Sequence, residues 1–300
     1  MDEVLNIQGL TKSYGKSRGV IDLNLTVERG EVFGYLGPNG AGKTTTIRVL
    51  LNFIRPTHGQ VTIFGMNIRQ KSRQVRKNIG YLPGEVRLYE KLTGAEFLQY
   101  VGHLRNGVNW QYVEELAERL QCNLSRRIRS LSHGNKQKLG LIQAFMHKPE
   151  LIILDEPTAG LDPLMQQEFY RLIDESKASG CTVLLSSHNM PEVERVCDRV
   201  GLIREGRLIT VENVDALKTR ALRQIEIYFA ASVPRESFSG IPGVRNVILE
   251  NNVLRCTVTG TLDTLIKAIA QYEVVNLISH EPNLEEIFLS YYSGGENHAV

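Results

Sequence analysis

The sequence predicts an α/β fold: a parallel sheet covered by helices, with an antiparallel β part, an α-helical insert and a small C-terminal α+β domain. Three observations carry this reading. A short apolar run, Glu31-Val32-Phe33-Gly34-Tyr35-Leu36, enters a glycine-rich turn and then a helical pattern. A second alternation of strand, helix and strand spans residues 151–186. Toward the C-terminus the pattern changes to short strands and helices with no glycine-rich loop of that kind.

In chain order, Val4–Leu10 and Val20–Val27 are apolar and β-prone, with Tyr14-Gly15 marking a turn between them. Lys43–Ile54 reads as a helix that is apolar nearly all round, the mark of a buried helix. From about 86 to 148 helices dominate, at Gly94–Leu104, Val113–Leu120 and Gly134–Met146. Strands return at Leu151–Asp155 and Thr182–Ser186 around a helical stretch at Met165–Ser179, an order that calls for parallel strands. A charged helical stretch, Val214–Leu222, leads to strands at Gln224–Phe229, Val244–Leu249 and Val253–Val258. A helix at Leu262–Tyr272, a strand at Val274–Ser279 and a helix at Asn283–Tyr291 follow, in an order resembling a ferredoxin-like sandwich. The expected domains are therefore 1–218, with the helical insert at about 86–148, and 219–300.

With 42% hydrophobic and 23% charged residues, the composition excludes disordered, collagen-like and coiled-coil classes. Thirty-five Lys and Arg against 33 Asp and Glu leave +2, so no overall field calls for nucleic acid or an acidic membrane surface. The longest apolar runs fall far short of the roughly 18 residues that span a bilayer. Met1-Asp2-Glu3-Val4 lacks the basic and apolar regions of a signal peptide. Cys122, Cys181, Cys197 and Cys256 are scattered, without a C-x-x-C pair, and read as reduced buried thiols. Together these features predict a cytosolic chain whose membrane role must come from a partner.

Gly37-Pro38-Asn39-Gly40-Ala41-Gly42-Lys43-Thr44 satisfies G-x-x-x-x-G-K-[ST] at every position, between a strand and a helix. Glycines let backbone N–H groups curl around phosphate oxygens, and the helix N-terminus adds positive potential. Lys43 supplies a cation to the β- and γ-phosphates and Thr44 a ligand for Mg²⁺, so the loop predicts a nucleoside triphosphate site. Leu151-Ile152-Ile153-Leu154-Asp155-Glu156 is an apolar strand ending in two carboxylates, at the sheet edge where the loop also sits. Asp155 is placed to hold Mg²⁺ through its water shell, and Glu156 to orient and deprotonate the attacking water.

Gly37–Thr45, Leu154-Asp155-Glu156-Pro157-Thr158-Ala159-Gly160-Leu161-Asp162-Pro163 and Ser186-Ser187-His188 resemble, in this order, the motifs of ATPase subunits of ABC (ATP-binding cassette) transporters. The resemblance runs from about residue 3 to 215. Within the family it is to separately encoded subunits of drug- and antibiotic-exporter type, whose tails end in a Leu-Glu-Glu-Ile-Phe-Leu-like helix, here Leu284–Leu289. It implies a P-loop cassette with a RecA-like core that hydrolyses ATP with Mg²⁺. It further implies that Gly37, Pro38, Asn39, Gly40, Ala41, Gly42, Lys43, Thr44 and Thr45 hold the nucleotide and that Tyr14 stacks on adenine. By the same resemblance Asp162 communicates between two sites and His188 contacts the γ-phosphate. Leu131-Ser132-His133-Gly134-Asn135 stands where the family has Leu-Ser-Gly-Gly-Gln. His133 and Asn135 depart from that pattern, whereas Ser132 and Gly134 match it and are expected to meet the γ-phosphate bound by the other subunit. The family's glutamine after Tyr81-Leu82-Pro83 is replaced by Gly84, which leaves Glu85 as the remaining candidate metal contact there.

The resemblance implies a homodimer or heterodimer of ATPase subunits closing on two ATP. It implies separately encoded integral-membrane subunits, driven in the direction of export, and a chain held on the cytoplasmic face of the cell membrane. No nucleic-acid partner is expected. The cluster Arg126-Arg127-Arg129 with Lys136 and Lys138 reads as a solvated helix face, and neither a second cassette nor a heptad insert is present. A P-loop kinase or GTPase is disfavoured because no Asn-Lys-x-Asp guanine signature occurs. The C-terminal domain is compatible with substrate sensing, an extended dimer interface, a regulator site or simple stabilisation.

Overall fold

The computed structural model describes residues 2–15, 17–220 and 223–280, and the chain divides into two units, Met1–Glu212 and Asn213–Val300. The first opens with an antiparallel pair, β1 (Glu3–Tyr14) and β2 (Ser17–Glu28). Both run beyond their apolar stretches, because polar residues continue the ladder: Lys12 stands opposite Val20 and Tyr14 opposite Ser17. Next come β3 (Val32–Leu36), α1 (Lys43–Leu50), β4 (His58–Ile63), β5 (Met66–Asn67), α2 (Ser72–Lys77) and β6 (Ile79–Leu82). A helical part follows, with α3 (Gly94–Leu104), α4 (Trp110–Arg119) and α5 (His133–Phe145). The chain then forms β7 (Leu151–Asp155), α6 (Pro163–Ala178), β8 (Thr182–Ser187), α7 (Met190–Val196), β9 (Arg199–Arg204) and β10 (Arg207–Asn213).

Six strands in the order β10-β9-β3-β8-β7-β6 form the main sheet. The five from β9 to β6 are parallel. The hairpin to β10 turns through Glu205 and Gly206, at φ 51° and 81°. β3, β7 and β8 are buried along their whole length; β3 and β7 read as apolar runs without alternation up to Asp155, whereas β8 also buries Thr182, Ser186 and Ser187. A second, antiparallel sheet has the order β2-β1-β4-β5. Leu5, Leu10 and Leu23 from this sheet share one core with Ile47 and Leu50 of α1 and with Phe33, Ile153 and Leu184 of the main sheet. Helix α1 is thereby enclosed, as its sequence predicts, but it ends at Leu50 and not at Ile54. Asn52 adopts φ 54°, and the N–H groups of Phe53 and Ile54 both turn back to the Arg48 carbonyl.

Local capping sets the helical part. Thr93 and Glu96 form a reciprocal capping box on α3, Asn109 caps α4 and Ser132 caps α5. The sequence names no element between residues 55 and 85, where β4, β5, α2 and β6 lie. These pieces are two to six residues long, and their pairing with distant strands carries the information that periodicity lacks.

The second unit contains α8 (Val214–Arg220), β11 (Arg223–Phe229), β12 (Val244–Glu250), β13 (Val253–Val258), α9 (Asp263–Ile269) and β14 (Val274–His280). Its sheet runs β12-β13-β11-β14 with antiparallel pairings, the strand order of a ferredoxin-like sandwich. A short 3₁₀ turn, Arg235–Ser237, lies between β11 and β12. Phe229, Phe238 and Tyr272 pack with ring centroids 5.7 to 5.9 Å apart at its core. The expected helix Asn283–Tyr291, with Leu284–Leu289, lies outside the described residues.

Helix α5 lies close on β6, where a Cβ at Gly80 would stand 2.1 Å from the Ala144 carbonyl oxygen. Gly80→Ala therefore forces helix and sheet apart. It is expected to destabilise the first unit by about 1–3 kcal/mol in denaturant titration. A midpoint unchanged from the wild type would refute that close approach.

Candidate functional site

Sheet register assembles the site. In the parallel ladder Leu36 stands level with Ser187, and Asp155 level with Ser186. The chain segments beginning at Gly37, Glu156 and His188 therefore leave the carboxyl edge side by side, as expected for an open α/β sheet. Gly37 admits no side chain, since a Cβ would stand 2.3 Å from the Ile203 carbonyl oxygen. Gly40 and Gly42 take φ 79° and 113°, and Gly42 is the N-cap of α1 with no side-chain cap. The first N–H groups of α1 thus have no capping side chain, and Pro38, Asn39 and Gly40 are exposed around them.

The charged groups are tied together. Lys43 is 6% exposed; its Nζ donates to the Gly37 carbonyl and stands 3.3 Å from Glu156 Oε1. Thr44 Oγ1 donates to Asp155 Oδ2 at 2.8 Å, and Ser186 Oγ donates to the other carboxylate oxygen, Oδ1. Asp155 is buried. Glu156 sits at φ 52°, a left-handed conformation unusual for a non-glycine residue. Its N–H donates to the Ser186 carbonyl at 3.0 Å, and its Oε2 lies 2.7 Å from His188 Nδ1. His188 is itself exposed.

Thr45 is half-buried and Ala41 buried, while Tyr14 is 43% exposed with Lys12 Nζ 5.1 Å from its ring centre. Ser132 caps α5 by accepting from the Asn135 N–H at 3.3 Å and from its Nδ2 at 3.0 Å. Asp162 caps α6, accepting from the Met165 N–H at 3.0 Å. Among the described residues no hydrogen bond or ion pair joins Ser132–Asn135 to Gly37–Thr45. The two groups are separate features of one chain.

Gly84 lies against the carboxylate of Asp155, where a Cβ would stand 3.3 Å from Oδ2. An open cavity lined by Thr44, Arg48, Tyr81, Gly84 and Asp155 adjoins it. Glu85, the candidate metal contact from the sequence, also lines this cavity, where it is 74% exposed and pairs with Arg87 at 2.9 Å. Burial and the Asp155 carboxylate push the Tyr81 hydroxyl up to about 12, so it stays a neutral donor in this cavity. The hard oxygen donors Thr44 Oγ1 and Asp155 suit Mg²⁺. Among the described residues no group of three or more His, Cys, Asp or Glu is arranged to hold a metal by itself, so phosphate and water must complete any such shell.

Two residues of this region escape sequence reading. Gln137 on α5 is fully buried, and its Nε2 donates to the carbonyls of Glu156 and Pro157 at 3.1 and 3.0 Å. Glu192 on α7 is fully buried and accepts from Ser187 Oγ at 2.5 Å, while that oxygen accepts from the Asn189 N–H at 2.9 Å. Nothing in the sequence marks either: a glutamine or a glutamate in a polar helix ordinarily faces water.

Of the basic cluster, Arg126, Arg127 and Arg129 are exposed, and Lys136 pairs with Glu90 at 3.4 Å. Lys138 is buried, so the expected solvated face loses that member. All four cysteines are buried and free. No helix among the described residues is long and apolar enough to cross a membrane.

The family model described as ABC transporter matches residues 20–159. The bacitracin transport ATP-binding protein BcrA of Bacillus licheniformis is 35% identical over 98% of this chain and 99% of its own. The linearmycin resistance ATP-binding protein LnrL of Bacillus subtilis is 32% identical over 96% and 97%. A solved ATP-binding subunit of an ABC transporter superposes with TM-score 0.66 at 31% identity, covering 72% of this chain and 92% of that one. The dimeric ABC transporter cassette MJ0796, at 21% identity and TM-score 0.63 over 70% of this chain and 98% of that one, shares the fold.

Burial, with the nearby Glu156 carboxylate adding to it, pushes Glu192 up to about 7 from the usual 4.5, against the hydrogen bonds from Ser187 and Thr158 that favour its ionised form. Ionising it therefore costs the fold. That cost is absent below 4.5, grows up to about 7 and is constant above. Glu192→Gln abolishes this titration, so wild-type stability relative to the variant should fall by about 1–3 kcal/mol as pH rises from about 4.5 to 8. Denaturant titrations across that range check it, and a difference independent of pH would contradict it.

Proposed function

The chain belongs to the family of ABC transporter ATP-binding subunits, and from that premise we propose how its own residues carry out ATP hydrolysis and what the hydrolysis drives. The backbone N–H groups of Gly37–Thr45 and the N-terminus of α1 receive the phosphates. Lys43 exchanges its Gly37 carbonyl and Glu156 partners for β- and γ-phosphate oxygens. Tyr14 offers a half-exposed ring to the adenine. Thr44 and Asp155 would hold Mg²⁺, the ion that neutralises charge on the phosphates; Glu85, in the same cavity, would reach the ion only by leaving Arg87.

Release of Lys43 frees Glu156 Oε1 for water, while His188 keeps hold of Oε2. Glu156 orients the water and accepts its proton as the oxygen attacks the γ-phosphorus. The bond from that phosphorus to the β–γ bridging oxygen breaks, leaving ADP and phosphate. His188 faces the γ-phosphate from the edge of β8. The observation that supports this reading best is the convergence of Lys43, Thr44, Asp155, Glu156 and His188 through contacts of 2.7 to 3.3 Å.

Ser132 and Gly134 lie apart from the chain's own loop, which suits them to a second subunit's ATP. Two copies, or this chain and a related one, then close on two nucleotides, with Asp162 at the junction. Separate membrane-spanning subunits carry the cargo, and the chain works against them on the cytoplasmic face of the membrane. The relatives' roles in bacitracin transport and linearmycin resistance favour export of an antibiotic.

Glu156→Gln is expected to keep ATP affinity, to lower turnover about a hundredfold or more and to trap an ATP-dependent dimer in size-exclusion chromatography with the membrane subunits present. Persistence as a monomer at saturating ATP would exclude the two-nucleotide sandwich. In equilibrium binding with a fluorescent ATP analogue, Lys43→Ala should weaken affinity about tenfold or more. Equal affinity would remove Lys43 from the phosphate site.

A further inference from the structure

We propose that Gln137 is a positioning residue that couples the N-terminal end of α5 to the carboxylate of Glu156. Through it, nucleotide engaged by Ser132 and Gly134 sets the base at the chain's own ATP. The inference rests on the two-nucleotide reading above. It concerns a residue that touches neither ATP.

Gln137 stands on the same helix as Ser132 and Gly134, a little over one turn inside its N-terminus. It is fully buried, and its amide is oriented by two acceptors, since Nε2 faces the carbonyls of Glu156 and Pro157 at 3.1 and 3.0 Å. A flipped amide would set oxygen against oxygen twice. Its own Oε1 is buried without a partner, so it is not held in place by other hydrogen bonds. These two donated bonds are the polar link between α5 and the turn.

That turn is sensitive to being held. Glu156 adopts φ 52°, where a residue with a Cβ persists only if its surroundings impose it. Its N–H is tied to β8 through the Ser186 carbonyl, and its carbonyl accepts from Gln137 and from the Ala159 N–H at 3.3 Å. Rotation of the Glu156–Pro157 peptide would swing the carboxylate away from Lys43 and His188.

A second contact makes the helix end and the loop move together. A Cβ at Gly134 would stand 2.4 Å from the Gly160 carbonyl oxygen, so the first turn of α5 rests directly on the loop between Glu156 and Asp162. An anion that favours one position of that turn therefore biases the Glu156 backbone through both contacts.

Gln137→Met keeps length and apolar volume but donates nothing. In the full chain it should leave ATP affinity within about twofold of wild type while kcat falls about a hundredfold, as expected for a displaced catalytic group. In the Glu156→Gln background the same substitution should change the single-turnover rate by less than about twofold, because the group it positions is gone. Gln137→Asn, which retains the amide one methylene short, should fall between the two and serves if the methionine variant fails to fold. Wild-type kcat in these variants, a matching loss of affinity, or a loss that multiplies fully with Glu156→Gln would overturn the role of Gln137. Absence of ATP turnover in the unmodified chain is a different result, and overturns the functional reading instead.

Discussion

The level register of β3, β7 and β8 is the constraint on which the rest of the structure depends. Parallel pairing sets Leu36 beside Ser187 and Asp155 beside Ser186. A one-residue slip in a strand would turn its terminal side chain to the opposite face. Full burial of the three strands removes that freedom, since each face is packed. The phosphate loop, the two carboxylates and the histidine are thus aligned by hydrophobic burial and ladder hydrogen bonds that take no part in the chemistry.

Around that edge the charges compensate one another. Lys43 is buried beside a carbonyl and Glu156, Asp155 accepts two hydroxyl donors, and Glu156 is shared between a cation and an imidazole. Burying each ion alone would be far more costly. The same pairing means that a polyphosphate enters by exchange, with Lys43 trading a carboxylate and a carbonyl for phosphate oxygens. The left-handed backbone of Glu156 shows where the fold accepts local strain, and the two hydrogen bonds from Gln137 show how it is imposed.

Two departures from the family pattern, Gly84 and His133, lie beside the loops that carry the site. Gly84 replaces a glutamine beside Asp155, and the space joins an open cavity that also reaches Thr44 and Tyr81. His133 enters the first turn of α5, near Gly160, and remains exposed. Neither disturbs the contacts among Lys43, Thr44, Asp155 and Glu156.

The sequence by itself determined the chemistry that is contiguous along the chain. Glycines at 37, 40 and 42 followed by Lys43 and Thr44, and the apolar strand ending in Asp155-Glu156, are legible because such motifs are set within a few residues. Tertiary structure alone decided what faces what: Ser186 against Asp155, Gln137 against the Glu156 carbonyl, Glu192 beneath the His188 turn and Glu85 toward Arg87. The short strands between residues 55 and 85 belong to the same class. Thr44 meets Asp155 across 111 positions of sequence, and no local pattern encodes such a meeting. It arises when buried strands settle into one order and one register, which is a property of the whole core.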